Sequence, residues 1–185
     1  IKLAETGTLA STIAMSGGTL DADNSSTLSG TLTQSGDIVI DVADNKTLTY
    51  SGTAISLGAN TLTLIGGGTL SNTNALVLND ADSLLTLAGI LTIGDVEGTA
   101  ASNPDKGILV TSSATLGDYD LSAVSYLSLA ANQTLAGQLN LQANGELKTS
   151  GDGQYIGDIA LAGGKFSATD SQVLSGTLSI TADSE

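Results

Sequence analysis

The sequence predicts an all-β protein built as a parallel β-solenoid, and three observations carry that expectation. Apolar and polar residues alternate over very short runs, turn-forming residues interrupt those runs, and one Leu-small-Gly-x-Leu pattern keeps returning. A chain with these properties coils into stacked rungs of three short strands, about eight rungs of roughly 19–22 residues each.

The alternation is read from Leu62-Thr63-Leu64, Leu76-Val77-Leu78, Leu127-Ser128-Leu129, Leu139-Asn140-Leu141 and Ile159-Ala160-Leu161. Period two sends the aliphatic side chains to one face and Thr, Ser or Asn to the other. No stretch keeps a 3.6-residue apolar period, so helices are expected to be almost absent.

Composition agrees. Of 185 residues 41% are hydrophobic, yet only 3% are aromatic, with no Trp and a single Phe, Phe166. Leu, Ile, Val and Ala are therefore expected to fill a narrow core unaided. The 23 Gly, with frequent Asn, Asp, Ser and Thr, supply the corners.

The repeat reads Leu28-Ser29-Gly30-Thr31-Leu32, Leu87-Ala88-Gly89-Ile90-Leu91, Leu135-Ala136-Gly137-Gln138-Leu139 and Leu174-Ser175-Gly176-Thr177-Leu178. Weaker echoes stand at Leu48–Gly52 and Tyr155–Ile159. Asn or Asp precedes the first Leu at Asn24, Asn45, Asn132 and Asp170. If stacking generates the recurrence, Leu28, Leu87, Leu135 and Leu174 form one interior ladder, and Leu32, Leu91, Leu139 and Leu178 form the next. Gly137 to Gly157 is 20 residues and Gly157 to Gly176 is 19, but Gly89 to Gly137 is 48. The excess of about ten over two rungs is assigned to residues 97–106, which hold the only Pro, Pro104, and read as an exposed loop insertion. A sandwich of hairpins would not require the same corner at one-rung spacing, so a single solenoid segment over residues 1–185 is preferred. Right-handed coiling is favoured by the general handedness of parallel crossovers.

The Leu-small-Gly-x-Leu rungs, together with Gly18-Thr19-Leu20 and Gly68-Thr69-Leu70, resemble the repeats of bacterial autotransporter passengers and filamentous-haemagglutinin-like adhesins. The resemblance implies a right-handed parallel β-helix on a bacterial surface, with adhesive or structural work. It implies a secreted or cell-surface location, a larger chain or fibre around this segment, and contacts with flanking repeats, with other copies end to end, or with surface glycans and neighbouring cells.

Charge and residue types narrow the chemistry. Five Lys stand against 19 Asp and Glu, a formal charge of −14. Phosphate and anionic lipid would be repelled, so neither nucleic acid nor membrane insertion is expected. His and Cys are absent, which removes thiolate metal sites and nucleophilic catalysis by Cys or by a His-activated hydroxyl. Asp21/Asp23, Asp41/Asp44, Asp80/Asp82 and Asp118/Asp120 could in principle serve acid–base or Ca²⁺ chemistry, but none carries a complete calcium-loop motif. Asp at a corner more simply caps backbone N–H groups. No catalytic, cofactor or metal residue is assigned, and the chain is read as no enzyme. Asn24-Ser25-Ser26, Asn45-Lys46-Thr47 and Asn132-Gln133-Thr134 match a glycosylation pattern that so Asn/Ser/Thr-rich a chain meets by chance.

The alternative functions are an ice-binding or carbohydrate-binding solenoid and, third, a polysaccharide-processing enzyme. Flat ranks of Thr could order water, and the pairs Thr31/Thr33, Thr47/Thr49 and Thr61/Thr63 invite that reading. Their separations of 16 and 14 residues are too irregular for a rank, and Thr favours strands in any case.

Overall fold

The computed structural model describes residues 1–90, 92–98, 100–170 and 172–181, and every regular element among them is a β-strand. Rung 1 comprises β1 (Lys2–Leu3), β2 (Thr8–Leu9) and β3 (Ile13–Met15). Rung 2 follows with β4 (Gly18–Ala22), β5 (Ser26–Leu28) and β6 (Leu32–Gln34). Rung 3 has β7 (Ile38–Val42), β8 (Thr47–Tyr50) and β9 (Ile55–Ser56). Rung 4 has β10 (Thr61–Ile65), β11 (Thr69–Asn72) and β12 (Leu76–Leu78). Rung 5 has β13 (Leu84–Leu87), β14 (Thr92–Ile93) and β15 (Val96–Gly98).

In rungs 6 and 7 the second and third strands fuse. Rung 6 is β16 (Gly107–Val110) and β17 (Ala114–Leu121), and rung 7 is β18 (Val124–Leu129) and β19 (Thr134–Gln142). They separate again in rung 8, with β20 (Glu146–Ser150), β21 (Gln154–Ile156) and β22 (Ile159–Ala162). Rung 9 closes with β23 (Lys165–Ala168), β24 (Val173–Ser175) and β25 (Leu178–Ile180).

Strands pair in parallel with their counterparts in neighbouring rungs, except that β6 and β9 touch without a ladder, forming a solenoid of about nine turns rather than eight. Face A is the nine-stranded sheet β1-β4-β7-β10-β13-β16-β18-β20-β23. Face B runs through β2, β5, β8, β11, β14, the first halves of β17 and β19, β21 and β24. Face C runs through β9, β12, β15, the second halves of β17 and β19, β22 and β25, with the separately paired β3 and β6 below them and β6 touching β9. One turn takes from 19 residues (Lys2 opposite Asp21) to 24 (Ile38 opposite Leu62).

The stacking makes the core. On face A, Leu20, Ile40, Leu64, Leu87, Val110 and Leu129 lie opposite one another in successive rungs. On face C the column is Ile55, Leu76, Val96, Tyr119, Leu139, Ile159 and Leu178. Nearly all these side chains are buried, Leu178 excepted, and burying each contributes about 1.5–3 kcal/mol. The core is not purely aliphatic, as composition suggested. Tyr50, Tyr119 and Tyr155 are fully buried. Each ring fills a wide point of the section while its hydroxyl serves a corner: Tyr50 accepts the Leu32 N–H (3.0 Å), Tyr119 donates to Ser125 (3.0 Å) and Tyr155 to the Gly137 carbonyl (2.6 Å).

The expected Leu ladders need correction. Leu135 and Leu174 do share a column, through Tyr155, and Leu139 and Leu178 share one through Ile159. Leu87, however, lies on face A, and Leu28 pairs with Tyr50 four positions further along face B. Leu32 pairs with Ile13, and Leu91 lies outside the described residues. The motif marks two kinds of corner, A–B at Gly89 and B–C at Gly30, Gly137 and Gly176.

That mixture also produced the apparent ten-residue excess. Across it, Leu84 lies opposite Gly107, an ordinary 23-residue turn. Glu97 and Gly98 are not loop: they belong to β15, laddered between β12 and β17. Of the remaining residues Thr99 lies outside the described set, and 100–106 make a long C–A corner stitched into the stack. The Ala101 N–H donates to the Val124 carbonyl (2.8 Å) and the Ser102 N–H to the Ala81 carbonyl (2.7 Å).

Candidate functional surfaces

The acidic pairs fall at corners and on outer faces. Asp21 and Asp41 lie opposite each other on face A, and Lys2 reaches Asp23 at 2.6 Å and Asp21 at 3.9 Å. The hydrogen bond from Lys2 holds the Asp23 carboxyl below its ordinary range, and Asp23 in turn raises the ammonium. Asp41 is pushed up, first by partial burial and then by repulsion from Asp21 and Asp23.

Elsewhere the carboxylates accept backbone N–H groups. Asp80 takes the Asp82 N–H (3.0 Å), Asp95 the Asp118 N–H (3.0 Å) and Asp158 the Thr177 N–H (2.9 Å). Asp82 accepts the Ser102 hydroxyl and Asp120 the Asn140 amide, both at 2.8 Å. Corner N–H groups outside a sheet ladder need such partners. No group of three or more His, Cys, Asp or Glu among the described residues could hold a metal ion.

Asn24, Asn45, Asn132 and Asp170, singled out by their place before the repeat, all occupy A–B corners. Asn45 (φ 59°) and Asn132 (φ 62°) adopt the left-handed conformation that Asn tolerates better than most residues. Asn24 donates its side-chain amide to the Ala4 carbonyl. Aromatics that could stack on a sugar are mostly turned inward. Tyr126 and Phe166 are the partly exposed rings of face A, with Lys148 Nζ 5.6 Å from the centre of Tyr126.

The Thr pairs taken in chain order do not stack: Thr33 lies on face C, Thr47/Thr49 on face B and Thr61/Thr63 on face A. A different set does. Thr47, Thr69, Thr92 and Thr115 lie opposite one another in four consecutive rungs. Beside them, Thr8, Thr27, Thr49 and Ser71 form a second outward column. Offsets of 19, 22 and 23 residues in the sequence carry this signal, whereas pairs read along the chain do not.

The edge of rung 9 is apolar. Leu174, Leu178 and Ile180 are 44%, 59% and 60% exposed, although Leu135 and Leu139 in the same columns are fully buried. With Phe166 and Ile159 they line a concave surface of about 400 Å³.

A comparison with known protein families, curated proteins and solved structures finds no match to this chain. The fold defines its class: an all-β, parallel β-solenoid of about nine turns.

Proposed function

We propose that this solenoid is a structural or adhesive segment of a secreted or cell-surface bacterial fibre or adhesin, working as a stiff spacer without catalysis. The supporting observation is the interior column from Ile55 to Leu178, which brings core residues to the edge of rung 9, where Leu174, Leu178 and Ile180 are exposed among the described residues. A parallel edge with unpaired backbone groups and exposed Leu and Ile side chains favours a further rung. That rung comes from flanking repeats or from another copy stacked end to end. The charge of −14 opposes side-by-side bundling, so assembly is axial and thin. A rigid rod of this kind holds a contact surface, whether for a glycan or a neighbouring cell, away from its anchor.

Negative-stain electron microscopy and sedimentation of the purified chain test the axial claim. Thin unbranched rods that shorten to single units in Leu178→Lys support it. Monodisperse particles at all concentrations, unchanged by Leu178→Lys, contradict self-stacking and leave flanking repeats, tested next by adding one more rung's length of native sequence.

A further inference from the structure

We propose that face B of rungs 1–6 is an ice-binding surface. Two outward columns carry the inference, Thr47-Thr69-Thr92-Thr115 and Thr8-Thr27-Thr49-Ser71. Parallel stacking sets a rung repeat of about 4.8 Å, and residues i and i+2 stand about 6.6 Å apart along a strand. The columns stand side by side in rungs 3 and 4, as Thr47 with Thr49 and Thr69 with Ser71, and continue as single files, the second through rungs 1 and 2 and the first through rungs 5 and 6. The rung repeat of these hydroxyl and methyl groups lies close to the shortest lattice translation of hexagonal ice.

Three independent features distinguish this face. First, it is uncharged in a strongly acidic chain: β2, β5, β8, β11 and β14 contain no Asp, Glu, Lys or Arg. Face A holds Lys2, Asp21, Asp41 and Glu146, and face C, uncharged in β3, β6, β9 and β12, carries Glu97 and Asp120 in rungs 5 and 6. Ice has no net charge to repay desolvation of an ion, so an ice-facing sheet must be neutral. Second, the hydroxyls of Thr27, Thr47, Thr49 and Thr69 make no hydrogen bond to the described residues, which leaves them to water. Third, a shallow hollow of about 280 Å³ on this face is lined by Thr8, Ser25, Thr27, Thr47 and Thr49, among others. Its volume admits several waters at about 30 Å³ each. The branched Thr side chain is stiff about χ1, so the hydroxyls and methyls are arrayed before ice arrives.

The test is ice recrystallisation inhibition and thermal hysteresis of the full chain, with Thr49→Lys on face B and Thr63→Lys on face A as matched charge insertions. Far-UV circular dichroism confirms that both variants remain folded. The expected result is activity in the native chain, its loss in Thr49→Lys and its retention in Thr63→Lys. A native chain that leaves ice growth unchanged overturns the proposal, as does equal loss in both variants. A native chain that dimerises through this face, with Thr49→Lys abolishing the dimer and no effect on ice, also overturns it and assigns the neutral face to a second copy.

Discussion

Rungs 1–4 and rungs 5–9 share a core but turn their B–C corner differently. From the outward column of face B to the inward column of face C, the step is 8 residues in rung 3 (Thr47 to Ile55) and 7 in rung 4 (Thr69 to Leu76). It falls to 4 in rungs 5 and 6 (Thr92 to Val96, Thr115 to Tyr119) and to 3 in rung 7 (Ala136 to Leu139). The lower half therefore has room for a second inward position, Leu28 then Tyr50, and a second outward one, Thr27 then Thr49. The upper half loses both, and its inward weight moves to Leu135 and Tyr155.

Asn72 manages the change. It follows Leu28 and Tyr50 in their column, but its side chain bonds to the backbone instead of filling the core. Its Oδ1 accepts the Gly94 N–H (2.8 Å), and its amide donates to the carbonyls of Asn74 (2.9 Å) and Asp95 (3.1 Å). Above this point a glycine stacks on the corner below in each rung. A Cβ on Gly157 would strike the Gly137 carbonyl, and one on Gly176 would strike that of Gly157. Stacking thus requires equivalent backbone paths only between neighbours, and a polar side chain can absorb the difference where the path shortens.

The largest expected effect sharpens the comparison from the core. Leu135→Ala removes the inward anchor of the narrow half and costs about 2–5 kcal/mol by leaving a cavity. Denaturant unfolding measures it, and a loss under 1 kcal/mol would show that the upper rungs do not depend on this column.

Next in size is the junction. Asn72→Ala strips the Gly94 N–H and two carbonyls of their partner at a largely exposed corner, a cost of about 1 kcal/mol. Hydrogen exchange should show faster exchange at Gly94, while Leu64 and Leu129 stay protected. Uniform loss of protection would mean that the junction is no local feature.

Alkali should separate the halves more gently. Burial pushes the Tyr119 phenol up to about 12, and burial also raises Tyr155. A phenol raised above its unfolded value of about 10 favours the fold fully below that value. The contribution is lost as pH climbs through the folded value, so the window is pH 10 to 12. Exchange measured across that window should accelerate first in rungs 6–9, and Tyr119→Phe should reduce the effect. Equal acceleration throughout would contradict it.

Much of the fold was legible in the sequence. Period-two runs such as Leu62-Thr63-Leu64 identified strands with one buried face, because alternation is a local property. The recurring glycine identified the solenoid, because stacked backbones admit no Cβ at that corner. The column to which each residue belonged was not legible. Leu28 and Leu135 stand in the same five-residue pattern, yet a difference of four residues in corner path separates their columns. Likewise Leu87-Ala88-Gly89 turns the A–B corner with the residues others use for B–C, and this displaced the supposed insertion at residues 97–106. The Thr columns of face B were hidden for the same cause: their regularity appears only once the turn length of each rung is known. Of the acidic pairs, Asp80 does cap a corner N–H, that of Asp82, whereas Asp21, Asp41, Asp118 and Asp120 lie on strands.

Because the chain has no Cys, engineered disulfides can read the rung register directly. Thr69→Cys with Thr92→Cys joins positions that face each other in adjacent rungs, within the Cα separation of about 4.4–6.8 Å that a disulfide spans. Thr47→Cys with Thr92→Cys joins positions two rungs apart, at about 9.6 Å. Under mild oxidation, mapped by peptide mass analysis, the first pair should close nearly completely within one chain and the second should stay reduced. Closure of the second pair, or failure of the first in folded protein, would contradict the stacked register on which the solenoid account rests.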